Sequence, residues 1–287
     1  MRHAFDYEQA LWGRGIAVRD WSSPTSIRLR HAETYLTGLR PGSRVVEVGC
    51  GAGQFIRGIK RDRPDLNCYG TDISVAAITL AQRSFDGVTY SVSKENTLPY
   101  ENEFFDAVVI FDVLEHVENP EFFLSEVRRV LVSGGRLYAF VPCEGDRLSM
   151  WRLLDRFHLK QDLTKKYAGH IHFFSRQSLI ALCKKTGFSI VKKRYSEHIL
   201  GQIIGIVSFF AMHRAALRVD GKQLNNEEYF IDRGVRDNYA IKVFKQLVNI
   251  FIFYESVFLR FFPSPNVHIF GVKNKVYVQT DNINLKQ

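Results

Sequence analysis

Residues 44–48 read Arg-Val-Val-Glu-Val, a short β-branched run of the kind that fills a strand buried on both faces. It runs into a turn with glycine at Gly49, Gly51 and Gly53, and a helical pattern opens at Gln54. A second strand-like run follows, Asn67-Cys68-Tyr69-Gly70-Thr71-Asp72-Ile73. Phe104-Phe105-Asp106-Ala107-Val108-Val109-Ile110 reads as a later strand, and Arg136-Leu137-Tyr138-Ala139-Phe140-Val141-Pro142 as the fifth. Residues 41–142 thus give five strand–helix units, and such alternation predicts an α/β chain with a doubly wound parallel sheet. Ser175 is placed to cap a helix ending near Gly187, and residues 188–195 form a sixth strand. Residues 266–272, Asn-Val-His-Ile-Phe-Gly-Val, form the seventh.

The segments around this frame are helical in pattern. Residues 1–40 carry two pieces, around Tyr7 to Trp12 and Ser26 to Leu39, broken at Gly13, Gly15 and Pro24. Residues 143–169 are an elaboration after the fifth strand, at the carboxyl edge where ligands bind. Between the sixth and seventh strands about seventy mostly apolar residues intervene. Residues 199–212 are relieved only by Gly201, Gln202, Gly205 and Ser208. This run is shorter than the roughly twenty residues a membrane-spanning helix needs, so it predicts a buried or interfacial helix. Its Gly201-x-x-x-Gly205 pair permits close helix packing. In residues 240–262 a helical wheel gathers Lys242, Lys245, Gln246, Asn249, Ser256 and Arg260 into one narrow stripe. Val243, Phe244, Leu247, Val248, Ile250, Phe251, Val257, Phe258 and Phe261 fill the rest. Such a helix either lies in a membrane interface, or packs with its neighbour onto the sheet. The expected division is a helical cap over 1–40, a core over 41–197, an apolar helical insertion over 198–264, and the last strand and tail over 265–287.

Strand, glycine turn and helix make the mononucleotide-binding corner of a doubly wound sheet, where bare backbone and unpaired helix N–H groups meet a ligand. The spacing here is Gly-x-Gly-x-Gly rather than the dinucleotide Gly-x-Gly-x-x-Gly, and Glu47 stands two residues before the first glycine. An anion there repels a pyrophosphate and welcomes a cationic amino acid. The corner resembles motif I of the class I S-adenosylmethionine-dependent methyltransferases. Further motifs of that family follow in order: Asp72 after the second strand, Leu98-Pro99-Tyr100, Phe111-Asp112-Val113-Leu114-Glu115-His116-Val117, and Ser133-Gly134-Gly135 leading to Pro142. Phe173-Phe174-Ser175 through Thr186-Gly187-Phe188 is similar to a later helix and strand. The nearest branch holds the ubiquinone-pathway O-methyltransferases and methyltransferases of glycan and lipid gene clusters. The resemblance implies a seven-stranded Rossmann-like methyltransferase sheet with an antiparallel last strand, interrupted by the helical insertion between strands six and seven. It also implies that the leader closes over S-adenosyl-L-methionine.

For that cofactor the resemblance places Glu47 on the methionine ammonium, Gly49, Gly51 and Gly53 in close backbone contact, and Asp72 on both ribose hydroxyls. Ile73 covers the adenine, and Cys50 and Phe111 join the same wall. Relatives often carry an acid four residues before the Leu-Pro pair; Lys94 stands there and cannot accept a hydrogen bond, so Glu95 is assigned to the adenine amine. The sulfonium carries its own activation, leaving the protein to bind it and align a nucleophile. A hydroxyl acceptor gains from a base near neutral pH, and the candidates are His116, His170 and His172. The other reading is that His116 buttresses the helix after it and the other two pack a lid. His158, His170 and His172 lack a carboxylate or thiolate at metal-ligand spacing, so no metal is expected. Glu255, on the apolar side of its helix, is expected to pair with a Lys or Arg.

With 287 residues, 46% hydrophobic and 24% charged, the chain can bury one large core with an elaboration. Cys50, Cys68, Cys143 and Cys183 show no paired spacing, and the first thirty residues have no apolar signal region. Both features predict a cytoplasmic location with reduced thiols. The net charge of +9 is concentrated: residues 147–194 hold twelve Lys/Arg against Asp155 and Asp162. That is either a solvated face or an attraction to an anionic partner such as lipid headgroups. RNA is disfavoured, because no RNA-binding module accompanies the charge. The expected function is O-methylation of an amphiphilic or lipid-linked acceptor, with peripheral contact to an anionic membrane at its inner face. The alternatives are a soluble small-molecule acceptor under an apolar lid, or a cofactor-binding scaffold without turnover.

Overall fold

A computed structural model describes residues 6–8, 12–13, 23–94, 97–156, 163–216 and 239–274. Seven strands form one sheet: β1 (Arg44–Val48), β2 (Asn67–Asp72), β3 (Thr89–Val92), β4 (Phe105–Phe111), β5 (Leu131–Pro142), β6 (Phe188–Ser196) and β7 (Asn266–Lys273). Their order is β3-β2-β1-β4-β5-β7-β6. β7 runs antiparallel between β5 and β6, and every other pairing is parallel. The doubly wound sheet with an antiparallel last strand is therefore present.

Both faces of the sheet are covered, which is why β1 and β4 are mostly apolar, their charged residues being Arg44, Glu47 and Asp106. Val46, Val48, Val108 and Ile110 pack on one side with Leu124 and Val127 of α4 (Pro120–Val130) and Leu179 of α7 (Arg176–Lys185). Val45, Val109 and Tyr138 pack on the other with Leu29 and Ala32 of α1 (Pro24–Leu36), Ile56 and Ile59 of α2 (Gln54–Asp62), and Ile78 of α3 (Val75–Gln82). The alternation follows from the two-residue period of a strand. α1 starts earlier than its apolar pattern because Ser23 accepts from the Ser26 amide at 3.2 Å and Pro24 occupies the first turn. The Ser133-Gly134-Gly135 turn lies inside β5, where Gly134 at φ 75° accompanies a register shift against β4.

After β5 come α5 (Met150–Arg156) and α6 (Leu163–Ala168), which pack with α8 (Leu200–Ala216) through Trp151, Tyr167, Ile206 and Met212. The other insertion helix, α9 (Tyr239–Leu259), lies against α1, β6 and α8. It buries Ile252, Phe253 and Ser256, and leaves Phe244, Leu247, Phe251, Tyr254 and Phe258 exposed. One residue of the polar stripe thus faces inward: the Ser256 hydroxyl accepts from the Glu197 amide at 2.8 Å. Glu255 forms no ion pair among the described residues; it accepts from the amides of Ile199 at 2.9 Å and Leu200 at 2.8 Å, capping α8. No helix among the described residues is long and apolar enough to cross a membrane. Part of the concentrated positive charge is neutralised locally, Arg176 by Asp146 at 2.9 Å and Lys185 by Glu121 at 2.7 Å. Lys192 and Lys193 remain exposed on the edge strand β6.

Candidate active site

β1 and β2 deliver two carboxylates to the carboxyl edge of the sheet. Glu47 is 1% exposed, and its Oε2 accepts from the Ile56 amide in the first turn of α2 at 2.8 Å. Burial pushes its pKa well above the usual carboxylate range, and the Ile56 hydrogen bond opposes this without winning. Asp72 accepts from Gly51 N at 2.7 Å and Ser74 N at 2.9 Å, yet burial raises its pKa as well. Neither has a cationic partner among the described residues. Gly49 and Gly51 lie at φ 75° and 50°; a Cβ would come within 2.4 Å of Val113 at the first and 2.6 Å of the Trp12 carbonyl oxygen at the second.

These residues wall a cavity of about 750 Å³ together with Cys50, Ile73 and Phe111. Phe111 is fixed there by stacking on Phe55, centroids 4.0 Å apart. S-adenosylmethionine fits this end: its ammonium supplies the positive charge that the two carboxylates lack among the described residues, and its ribose diol adds donors to the backbone amides already there. Gly53 belongs to the turn and not to the cavity wall. Its φ of 89° starts α2, and a Cβ would meet the Tyr90 hydroxyl at 2.5 Å. Glu95 lies outside the described residues, while Lys94, Thr97 and Leu98 line the cavity beside its position.

The other end of the cavity is built by the chain leaving β4 and β5. His116 Nδ1 is 3.2 Å from the Gly169 carbonyl oxygen; burial first, and then the nearby His170, lower its pKa to about 3. His170 Nδ1 is 2.9 Å from Glu144 Oε1, and the other Glu144 oxygen accepts from the Thr164 hydroxyl at 2.9 Å. Burial works against the His170 proton but is outweighed by Glu144, Glu115 and Asp112, so its pKa is raised. Glu115 is wholly buried, and burial followed by the charge of Asp112 moves its carboxyl to about 8. The His116 and His170 rings are 5.0 Å apart, and both line the cavity with Asp112 and Glu144. His172 does not reach it. Its Nε2 is engaged by the Glu118 carbonyl oxygen at 3.2 Å and its ring stacks on Phe174, away from the other two histidines.

Several wall residues carried no signal. Arg28 of α1 donates to Asp112 at 2.5 Å and to Glu197 at 3.3 Å, groups 84 and 169 residues away. Trp151, Gln202 and Phe209 join from α5 and α8. Asp112 and Glu144 were findable, since each directly adjoins a motif strand. The two glycines of α8 differ: a Cβ at Gly201 would strike Glu197 at 2.6 Å, whereas at Gly205 it would meet nothing within 4 Å. Close packing explains the first, and open cavity the second.

Residues 25–193 match the methyltransferase-domain family. The chain is 30% identical over 152 residues to an uncharacterized protein of Methanocaldococcus jannaschii, MJ1123, covering 53% of this chain and 67% of that one. It is 38% identical over 105 residues to the mitochondrial ubiquinone biosynthesis O-methyltransferase of Rattus norvegicus, covering 34% of this chain and only 30% of that protein. Among solved structures, the complex between the Haloferax volcanii Trm112 methyltransferase activator and a methyltransferase superposes with a TM-score of 0.54. Identity there is 15%, with 94% of this chain and 92% of that one covered, which shows the fold.

Proposed function

We propose that this chain, which belongs to the class I S-adenosylmethionine-dependent methyltransferases, methylates an oxygen of an amphiphilic or lipid-linked acceptor at a membrane surface. The observation that carries this reading is a single cavity with two chemically different ends. Glu47, Asp72 and the glycine turn hold the cofactor; His116, His170 and Glu144 stand where an acceptor hydroxyl would be received. When bound, the cofactor supplies an electrophilic methyl group on its sulfonium. The chain's own part is alignment within a shared cavity, with water held back by Trp151, Phe209 and α8. At the acceptor end His116 is held neutral and His170 is paired with Glu144, so that is the place where a hydroxyl would give up its proton.

The amphiphilic acceptor is supported by what surrounds the cavity. Phe244, Leu247, Phe251, Tyr254, Phe258 and Phe261 are each at least about half exposed, and they recur at alternating spacings of three and four, one stripe of α9 and its C-terminal extension. Arg194 sits over Phe261 at 4.3 Å, so cations of β6 border the stripe. An apolar stripe rimmed by cations matches an anionic bilayer.

Labelled cofactor incubated with the protein and a membrane lipid extract should put label into the lipid fraction. Flotation on vesicles should require anionic lipid, weaken at high salt, and be lost in Phe251→Glu with Phe258→Glu. Both side chains are exposed, so the double variant should still fold. A wild type that never floats, and that forms a dimer split by the same substitutions, would replace the bilayer with a second copy. Label appearing only in water-soluble products would replace the lipid-linked acceptor.

A further inference from the structure

We infer that Glu115, His116 and His170 form a binding site for a divalent cation of the zinc class at the acceptor end of the cavity. The inference extends the methyltransferase reading, on which it rests for what the cation is used for. The sequence expectation of no metal considered His158, His170 and His172; the fold assembles a different trio.

Three observations point to it. One ligand atom from each of the three residues lies within 4.8 Å of the others, and Glu115 Oε1 to His116 Nε2 is 3.8 Å. Bonds of about 2.1 Å in a tetrahedral site place ligand atoms about 3.4 Å apart, so modest side-chain rotations close the remainder. Both Glu115 oxygens are fully buried and have no hydrogen-bond partner among the described residues. A carboxyl group in that position is costly whether ionised or not, and a bound ion is a recognised reason for such a group.

Each ring also has one nitrogen committed elsewhere. The Gly169 carbonyl oxygen engages His116 Nδ1, and Glu144 engages His170 Nδ1. That leaves Nε2 of both rings for a metal, in the outer-sphere arrangement that fixes the tautomer and orientation of metal-binding histidines. Asp112 and Glu144 add negative charge around the trio. Two imidazoles and one carboxylate suit zinc or its neighbours rather than magnesium or calcium, which prefer oxygen alone. Because both histidines line the cavity, the coordination positions left over face the space where an acceptor oxygen would sit.

The test uses cobalt(II) added to chelator-treated full-length protein. One equivalent should bind and give visible absorption bands of a low-coordinate nitrogen–oxygen site. Glu115→Gln, which removes charge but not shape, and His170→Ala should each weaken binding at least tenfold. His172→Ala, outside the trio, should not. S-adenosylhomocysteine binding, measured on the same samples, reports whether each variant is folded. No stoichiometric cobalt uptake, or uptake equal in wild type, Glu115→Gln and His170→Ala, overturns the cation site. If S-adenosylhomocysteine binds while cobalt does not, only the cation site falls. If the wild type fails to bind S-adenosylhomocysteine, the methyltransferase reading falls, and the cobalt result stands by itself.

Discussion

Glu47→Gln probes the cofactor end through its electrostatics. Glu47 is 1% exposed, with one backbone hydrogen bond and no cationic partner among the described residues. Burial holds its carboxyl well above the ordinary value, and Asp72 adds to the shift. The cofactor's ammonium supplies the opposite charge that favours ionisation. Since the pKa is raised in the free protein and falls on binding, ligand uptake expels a proton. Affinity therefore increases as pH rises through the free-state pKa and is lost below it. The slope is up to about one decade, or about 1.4 kcal/mol, per pH unit for each proton released. Asp72, also raised by burial, adds in the same direction. Glutamine keeps an oxygen for the Ile56 amide and removes the charge. It should reduce proton release by up to about one and weaken binding by about 1–3 kcal/mol. Calorimetry of S-adenosylhomocysteine from pH 5.5 to 8, in buffers of different ionisation enthalpy, measures both quantities. Identical proton release and affinity in wild type and variant would remove Glu47 from the ammonium site.

Two further substitutions address the acceptor end and the fold. Gly205→Leu gains about 1 kcal/mol of helix propensity and projects into open cavity, so thermal stability should rise, S-adenosylhomocysteine affinity should hold, and methyl transfer should fall. Unimpaired transfer would place the acceptor elsewhere. His31 is held at about 4 by burial and then by the charges of Arg194, Lys192 and Arg260. A lowered imidazole pKa contributes stability that is present above 6.5 and lost as pH falls toward 4, up to about 3 kcal/mol. His31→Phe should flatten the acid limb of urea midpoints measured between pH 7 and 4; parallel limbs would refute the assignment.

The cofactor end was legible in the sequence because its requirements are local. A buried strand, glycines with positive φ and an acid at each of two strand ends are all read within thirty residues of one another. The acceptor end is assembled from α1, the segments after β4, β5 and α6, and the insertion, and only the pieces within or beside a family motif announced themselves. Nothing along the chain links Arg28 to Glu197, because their meeting is a product of sheet order. The orientation of α9 was equally hidden. A wheel displays a polar stripe but not which side faces the protein, and the Glu197 amide drew Ser256 inward. Glu255 suggested an ion pair by its charge. The unpaired amides opening α8 made the stronger claim on it, since helix N-termini lack internal acceptors.

Strand direction ties the insertion to the chemistry. β6 is parallel to β5, since each pairs antiparallel with β7, so the chain leaves β6 at the carboxyl edge that holds Glu47, Asp72 and His116. α8 therefore starts beside the cavity. Gly201, Gln202, Gly205 and Phe209 line it, while Ile199, Ile203 and Val207 on the opposite side are exposed. Only the thickness of one helix separates the acceptor end from the outer apolar surface. The two glycines make that helix thin on its inner side. On the proposed reading, a long acceptor keeps its apolar tail along the α8 and α9 surface while its hydroxyl reaches His116 and His170. Shortening the tail should then raise KM for the acceptor without altering cofactor affinity. An acceptor series in which KM ignores tail length would instead assign the exposed stripes to a role apart from substrate capture.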